Sequence, residues 1–401
     1  MEERAHRSRR RAFLQRGVAA GLAVFAPGLL DSSPARTLRA TEGAGNGGAR
    51  VPDFTVGLAD FGGKPGAGRE ALVAAFRQAF AALTEAGGGT LLVPAGSYDF
   101  GDCADADTVI LCRDLRDIAI SAYGAVFTAR TTARSMPHLF YFNNFNNVTL
   151  AGASFTDPGF VPWIDWKGMY CVGIQADKPS TGFRMVDCFA EHVLGLLASN
   201  NNAAGRQYMA DIRVQGEVRN AYYGVGASNI RELVDVDLDC HNVRRAFIAY
   251  ALKNAQIAVR AFDTADWPGS NGLIALVSAG ASRGNVEQVR VGVDVSGSGI
   301  HSSYVHFYHQ GPEREGVMRD IDATVNLIDV DPVRTLFLFD HESNGIRSRT
   351  TRSWQDISLH GSVAGPFAGQ VVSNPSVPEG PYTVRLDPGL AELDRASKHT
   401  R

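Results

Sequence analysis

Asn147-Val148-Thr149-Leu150-Ala151-Gly152-Ala153-Ser154-Phe155 is one unit of a pattern that runs through most of the chain. Val148 and Leu150 alternate with Thr149 and Ala151, the period of a strand with one buried face. Gly152 makes a turn, and Ala153-Ser154-Phe155 opens a second short strand. The same grammar recurs: an alternating strand, a Gly or Asn turn, a second short strand, then a loop. First strands begin near Ile118, Val148, Phe183, Ile212, Val236, Ile257, Val289, Ile321 and Ile357, at intervals of 21 to 36 residues. Second strands follow near Val172, Leu194, Gly224, Ile248, Ile274, Val305 and Phe337. A constant grammar at uneven spacing predicts stacked coils whose strands align while their loops vary. A propeller would need four strands per blade, and a sandwich has no need of the recurring order.

A single coil cannot bury its apolar face alone, so the open end of such a stack needs a cap. Asp60-Phe61-Gly62-Gly63-Lys64-Pro65 leads into an expected helix over 69–86, with Leu72, Phe76, Phe80 and Leu83 on one face. Gly87-Gly88-Gly89 stops it, and Thr90 to Tyr98 reads as strand and turn. The stretch from Asp60 to Tyr98 resembles the N-terminal cap and first coil of the pectin-lyase-like right-handed parallel β-helix superfamily. Asn147–Phe155 is similar to a typical coil of that superfamily, and coil-like units extend the likeness over about residues 52–375.

The resemblance implies an all-β fold, a right-handed parallel β-helix (solenoid) with an N-terminal capping helix. It also implies action on polysaccharide by hydrolysis, β-elimination or epimerisation. It does not choose among these. The Asn-Thr-Asp, Asp-Asp and Gly-His-Gly motifs of the polygalacturonase branch are not found, nor is the Asp-rich calcium cluster of pectate lyases. The expected organisation is a signal over 1–41, cap and first coil over 52–100, β-helix over 101–375, and a polar tail over 376–401.

The first forty residues read as an address. Six Arg between Arg4 and Arg16 precede the mildly apolar stretch Gly17–Leu30, the layout of an export signal. Arg10-Arg11-Ala12-Phe13-Leu14 resembles a twin-arginine translocation pattern. A periplasmic or secreted location is therefore expected. Removing residues 1–41 takes away eight Arg and three acidic residues, which moves the net charge from −3 to −8. An acidic chain does not attract nucleic acid through its overall field. No long apolar run lies beyond the N-terminus, so no membrane association is expected after signal removal. Five Cys in 401 residues do not make a disulfide scaffold, although Cys103 and Cys112 are near enough in sequence to pair.

Strand alternation then sorts candidate site residues. In the second-strand sheet, Ile248, Ile274, Val305 and Phe337 are predicted to form one inward column, and Tyr250, Leu276, Phe307 and Phe339 the next. Tyr304, His306, Tyr308 and Asp340 then point outward, with Tyr223 in an earlier coil. Asp340 and Glu342 on one strand face would lie about 6.5–7 Å apart, inside the range that glycoside hydrolysis uses for its two carboxylates. The catalytic candidates are therefore Asp340, Glu342, His306 and Tyr308. Tyr304, Tyr223, Trp267 and Trp166 are expected to offer flat faces to sugar rings. A rival pair is Asp237 and Asp239, outward on the first-strand sheet beside Arg260. The leading function is hydrolysis of a polysaccharide or oligosaccharide. The alternatives are a lyase, for which Ca2+ could serve, and a non-catalytic glycan-binding solenoid. No other cofactor and no metal is expected.

Overall fold

A computed structural model describes residues 52–103, 108–132, 136–162, 167–199, 206–263, 272–279, 284–298, 303–310, 316–331, 335–341, 354–365, 367–373 and 384–399. The expected signal, Trp166, Trp267 and Glu342 lie outside the described residues. Every strand pairing among those described is parallel, and most strands pair with the element about one coil away, two along in chain order. Tyr223–Ile230, for example, lies between Gly195–Ser199 and Arg245–Phe262. Arg245–Phe262 continues past a corner into the first sheet, where it lies between Leu233–His241 and Val286–Ser298. The result is a parallel β-helix.

The core is built from residues in register between coils. In the first sheet, Val214, Val236, Ile257, Val291, Ala323 and Leu359 form one buried column. In the second, Phe247, Ile274, Val305 and Phe337 form another, and Ala249, Leu276, Phe307 and Phe339 the next. Phe307 and Phe339 stack with ring centroids 4.5 Å apart. Rings from successive coils thus bury one another, which is why the stack is favourable and a lone coil is not.

Corners are set by single residues in the left-handed region. Asp117, Asn147, Gly182 and Asp211 take it in successive coils, and Asn254, Gln288, Asp320 and Asp356 continue the row. Asn and Asp tolerate this conformation better than other side chains. The side chains also tie coils together: Asn147 donates to Asp117 at 2.7 Å, and Asn144, itself left-handed, donates to Asp114 at 3.1 Å. These hydrogen bonds stack each turn on the one before it.

The helix expected over 69–86 spans Arg69–Glu85 and buries Leu72, Phe76, Phe80 and Leu83. It contacts the first strands; Phe76 meets Phe127 and Phe140 at 6.3 and 5.4 Å between centroids. At the other end the tail forms a helix over Pro388–His399, with Leu390 buried. All five Cys are buried and free, so Cys103 and Cys112 do not pair.

Two alternation assignments are corrected. Ile248 and Tyr250 face outward, because Phe247 and Ala249 are the residues in register with Ile274 and Leu276. Tyr304 is 1% exposed and belongs to the core, so it is not a surface for sugar. The cause is the same for both. Where each second-sheet strand begins, two consecutive residues turn inward: Ala246 with Phe247, Leu273 with Ile274, Tyr304 with Val305, Leu336 with Phe337. A period of two counted through that corner slips by one. Burial pushes the Tyr304 phenol up to about 12, which fits a ring inside the stack.

Candidate functional site

Beyond each corner the outward side chains of the second sheet fall into three rows. Tyr170, Gly195, Tyr223 and Arg245 form the first. Ile248, Ala275, His306 and Leu338 lie in the second, and Tyr250, Val277, Tyr308 and Asp340 in the third. Of these, Tyr223, Ile248, Ala275 and Val277 form an apolar cluster outside the main core with Phe160, Leu194 and Tyr222, and Tyr170, Tyr250 and Tyr308 pack against it. Tyr170 and Tyr223 stack at 6.3 Å and 20° across Gly195, where an added Cβ would come within 2.8 Å of the Tyr170 ring. Tyr222 meets Tyr223 edge-on at 4.5 Å, and the Arg244 guanidinium sits over the Tyr222 ring at 4.2 Å.

His306 lies in the second row, near the C-terminal end of this face. It is 3% exposed, and its Nε2 has no hydrogen-bond partner among the described residues. The Tyr308 ring lies 5.1 Å away, and Asp340 Oδ2 is 3.9 Å from Nε2. Burial pulls the imidazole down to about 4; Asp340 opposes that shift and Arg245 adds to it. The ring is therefore neutral at ordinary pH. Asp340 is the more accessible partner, its side chain 27% exposed.

The register places Tyr308 beside Asp340, as alternation predicts. His306, Tyr308 and Asp340 come together, and Tyr223 lies on the same face three coils away. Tyr304 does not join them, and Glu342, Trp166 and Trp267 lie outside the described residues. Sequence reasoning missed Tyr170, Tyr222, Arg244 and Arg245. The doublets Tyr222-Tyr223 and Arg244-Arg245 stand just ahead of successive strand entrances, and that repeat was a usable signal. It also missed Asp157, which is fully buried and accepts the N–H groups of Thr131, Gly159 and Met169 at 2.9, 2.8 and 3.0 Å. These bonds fix the chain that carries Phe160 against the aromatic face.

The rival pair is arranged differently. Asp237 and Asp239 do face outward on one strand, but Arg260 lies 2.7 Å from the first and 2.5 Å from the second. The guanidinium fills the space between the carboxylates, where a hydrolase needs its substrate. No group of three metal-ligating side chains converges among the described residues.

No family model matches the chain, and no curated protein matches it. Among solved structures, it is similar to the catalytic domain of a GH87 α-1,3-glucanase in complex with nigerose. That match has 12% identity and a TM-score of 0.42, and covers 84% of this chain and 68% of that one. It is similar to the Streptococcus pneumoniae surface protein and adhesin PfbA at 10% identity and a TM-score of 0.42, covering 83% and 96%. An exopolygalacturonase from Thermotoga maritima matches at 11% identity and a TM-score of 0.34, covering 84% and 92%. Likeness this distant assigns no residue a role.

Proposed function

We propose that this chain is an exported carbohydrate-active enzyme that cleaves glycosidic bonds of a polysaccharide or oligosaccharide lying across the aromatic face of the second sheet. The observation that carries the proposal is His306: a buried, neutral imidazole whose Nε2 lacks a hydrogen-bond partner among the described residues, 3.9 Å from a partly exposed carboxylate and 5.1 Å from the Tyr308 ring. Stacked tyrosines suit the apolar faces of sugar rings. Asp340 is assigned as the carboxylate of the hydrolytic step, with His306 as its proton-transfer partner and Tyr308 orienting the substrate. Glu342, two residues on, is the second carboxylate of this assignment.

β-Elimination on a uronate polymer is the second reading, favoured by Arg244 and Arg245 at the edge of the same face. A guanidinium can neutralise a uronate carboxylate while Tyr308 or His306 moves the proton. Incubation with neutral and uronic-acid glycans separates the two chemistries. New reducing ends without unsaturated product indicate hydrolysis; ultraviolet-absorbing unsaturated ends indicate elimination. Asp340→Asn and His306→Ala should each lower turnover by roughly 10²–10⁴-fold with an unchanged circular dichroism spectrum. Full activity in both variants would move the site elsewhere. Assay of cell fractions reads the export.

A further inference from the structure

The outer face of the first sheet holds a groove that the proposed reaction does not use. Its volume is about 790 Å³, and an adjoining hollow of about 330 Å³ shares Gln256, Arg290 and Asp322 with it. Gln256, Arg290 and Asp322 stand in register in successive coils. Beside them Ala258, Gly292 and Thr324 form a low row, with Asp235 at one end of the hollow.

Gly292 has no structural reason to be glycine. Its backbone is not left-handed, and an added Cβ would find nothing nearer than the Ile257 carbonyl at 4.0 Å. Elsewhere on the strands of this sheet, Gly216 and Gly361 would drive a Cβ to 2.3 and 2.1 Å from a backbone oxygen. Glycine inside a strand is less stable than alanine, and the use left for it is close approach of another molecule to the backbone. Arg290 points to a ligand independently. It is exposed and has no carboxylate partner among the described residues, whereas Arg213, Arg260, Arg319 and Arg385 each have one.

We propose that this groove is a second saccharide-binding site, which takes a neutral, hydroxyl-rich glycan chain along the stack. Hydroxyl groups both donate and accept, and the groove offers both: the Gln256 amide, the Arg290 guanidinium, the Thr324 hydroxyl and the carboxylates of Asp235 and Asp322. No aromatic ring lines it, so an apolar partner gains little. Carboxylates outnumber guanidiniums along its walls, so a polyanion is repelled. Coils about 4.8 Å apart repeat these groups along the axis, as a polymer requires. The choice of a saccharide rests on the reading of the second sheet as a glycan-cleaving face.

Affinity electrophoresis of the full chain in gels containing dextran, laminarin, galactomannan or polygalacturonate tests the groove. At least one neutral glycan should retard the wild type. Gly292→Val and Arg290→Ala should each weaken that binding by about tenfold, with turnover of a short oligosaccharide and circular dichroism unchanged. Arg290→Ala, at an exposed position, carries the test if Gly292→Val disturbs folding. Retardation of the variants equal to wild type, no retardation by any neutral glycan, or retardation by polygalacturonate alone would overturn the proposal. Groove-dependent retardation without cleavage of any saccharide would instead defeat the enzymatic reading and leave the groove standing.

Discussion

His306 ties the chemistry of the face to its stability. The unfolded chain takes up a proton on this residue near the ordinary value of 6.5, and the folded chain only near 4. Between those values the unfolded state binds more protons, so stability falls as pH drops from about 6.5 to 4, by roughly 3 kcal/mol over the window. Glu287 acts in the same direction but lower. Burial alone would raise its pKa, yet Lys253 at 2.9 Å, Arg319 at 3.3 Å and Asn285 hold it below the usual carboxylate value. Its contribution is therefore lost only as pH falls through the carboxylate range, and it is common to wild type and any His306 variant. Urea unfolding midpoints from pH 7 to 4 should decline less steeply for His306→Leu than for wild type. Identical slopes would show that His306 is not held neutral by burial.

At the scale of elements, the N-terminal helix packs on the coils through Leu72, Phe76, Phe80 and Leu83, with Phe76 at the aromatic contact. Phe76 is fully buried and touches Phe80, Phe127 and Phe140, so it bridges the helix and two coils. Phe76→Ala should cost about 3–5 kcal/mol, read from the shift of the thermal or urea transition. A loss under 1 kcal/mol would mean that the helix contributes little to the stack. The helix was legible in the sequence because its apolar spacing of three and four residues departs from the alternation of the strands. The strands were legible where alternation runs undisturbed, as from Val305 to Asp340's neighbour Tyr308. Reading failed at the corners. Tyr304 and Val305 both turn inward, and nothing in their chemistry distinguishes a corner residue from a strand residue. Ile248 and Tyr250 were misplaced for the same reason, since an aromatic or branched residue satisfies either face when the outer face is itself apolar.

At the largest scale the described residues form a line of coils, each in contact with its neighbours. A residue in one coil meets its counterpart about 4.8 Å along the axis, so a repeating polymer can lie against repeating side chains. The second sheet repeats rings and ends on His306 and Asp340; the first repeats hydrogen-bonding groups around an open floor at Gly292. Pairing of coils was readable from the sequence because the grammar recurs. The site was readable only in part, because Asp340 and His306 meet through register between coils and not through spacing in the chain. The most direct test is a crystal structure of the Asp340→Asn variant soaked with an oligosaccharide that the wild type cleaves. Sugar rings should lie over Tyr223 and Tyr308, with a glycosidic oxygen roughly 3 Å from the side chain at position 340. Saccharide bound elsewhere, with the aromatic face empty, would contradict the account.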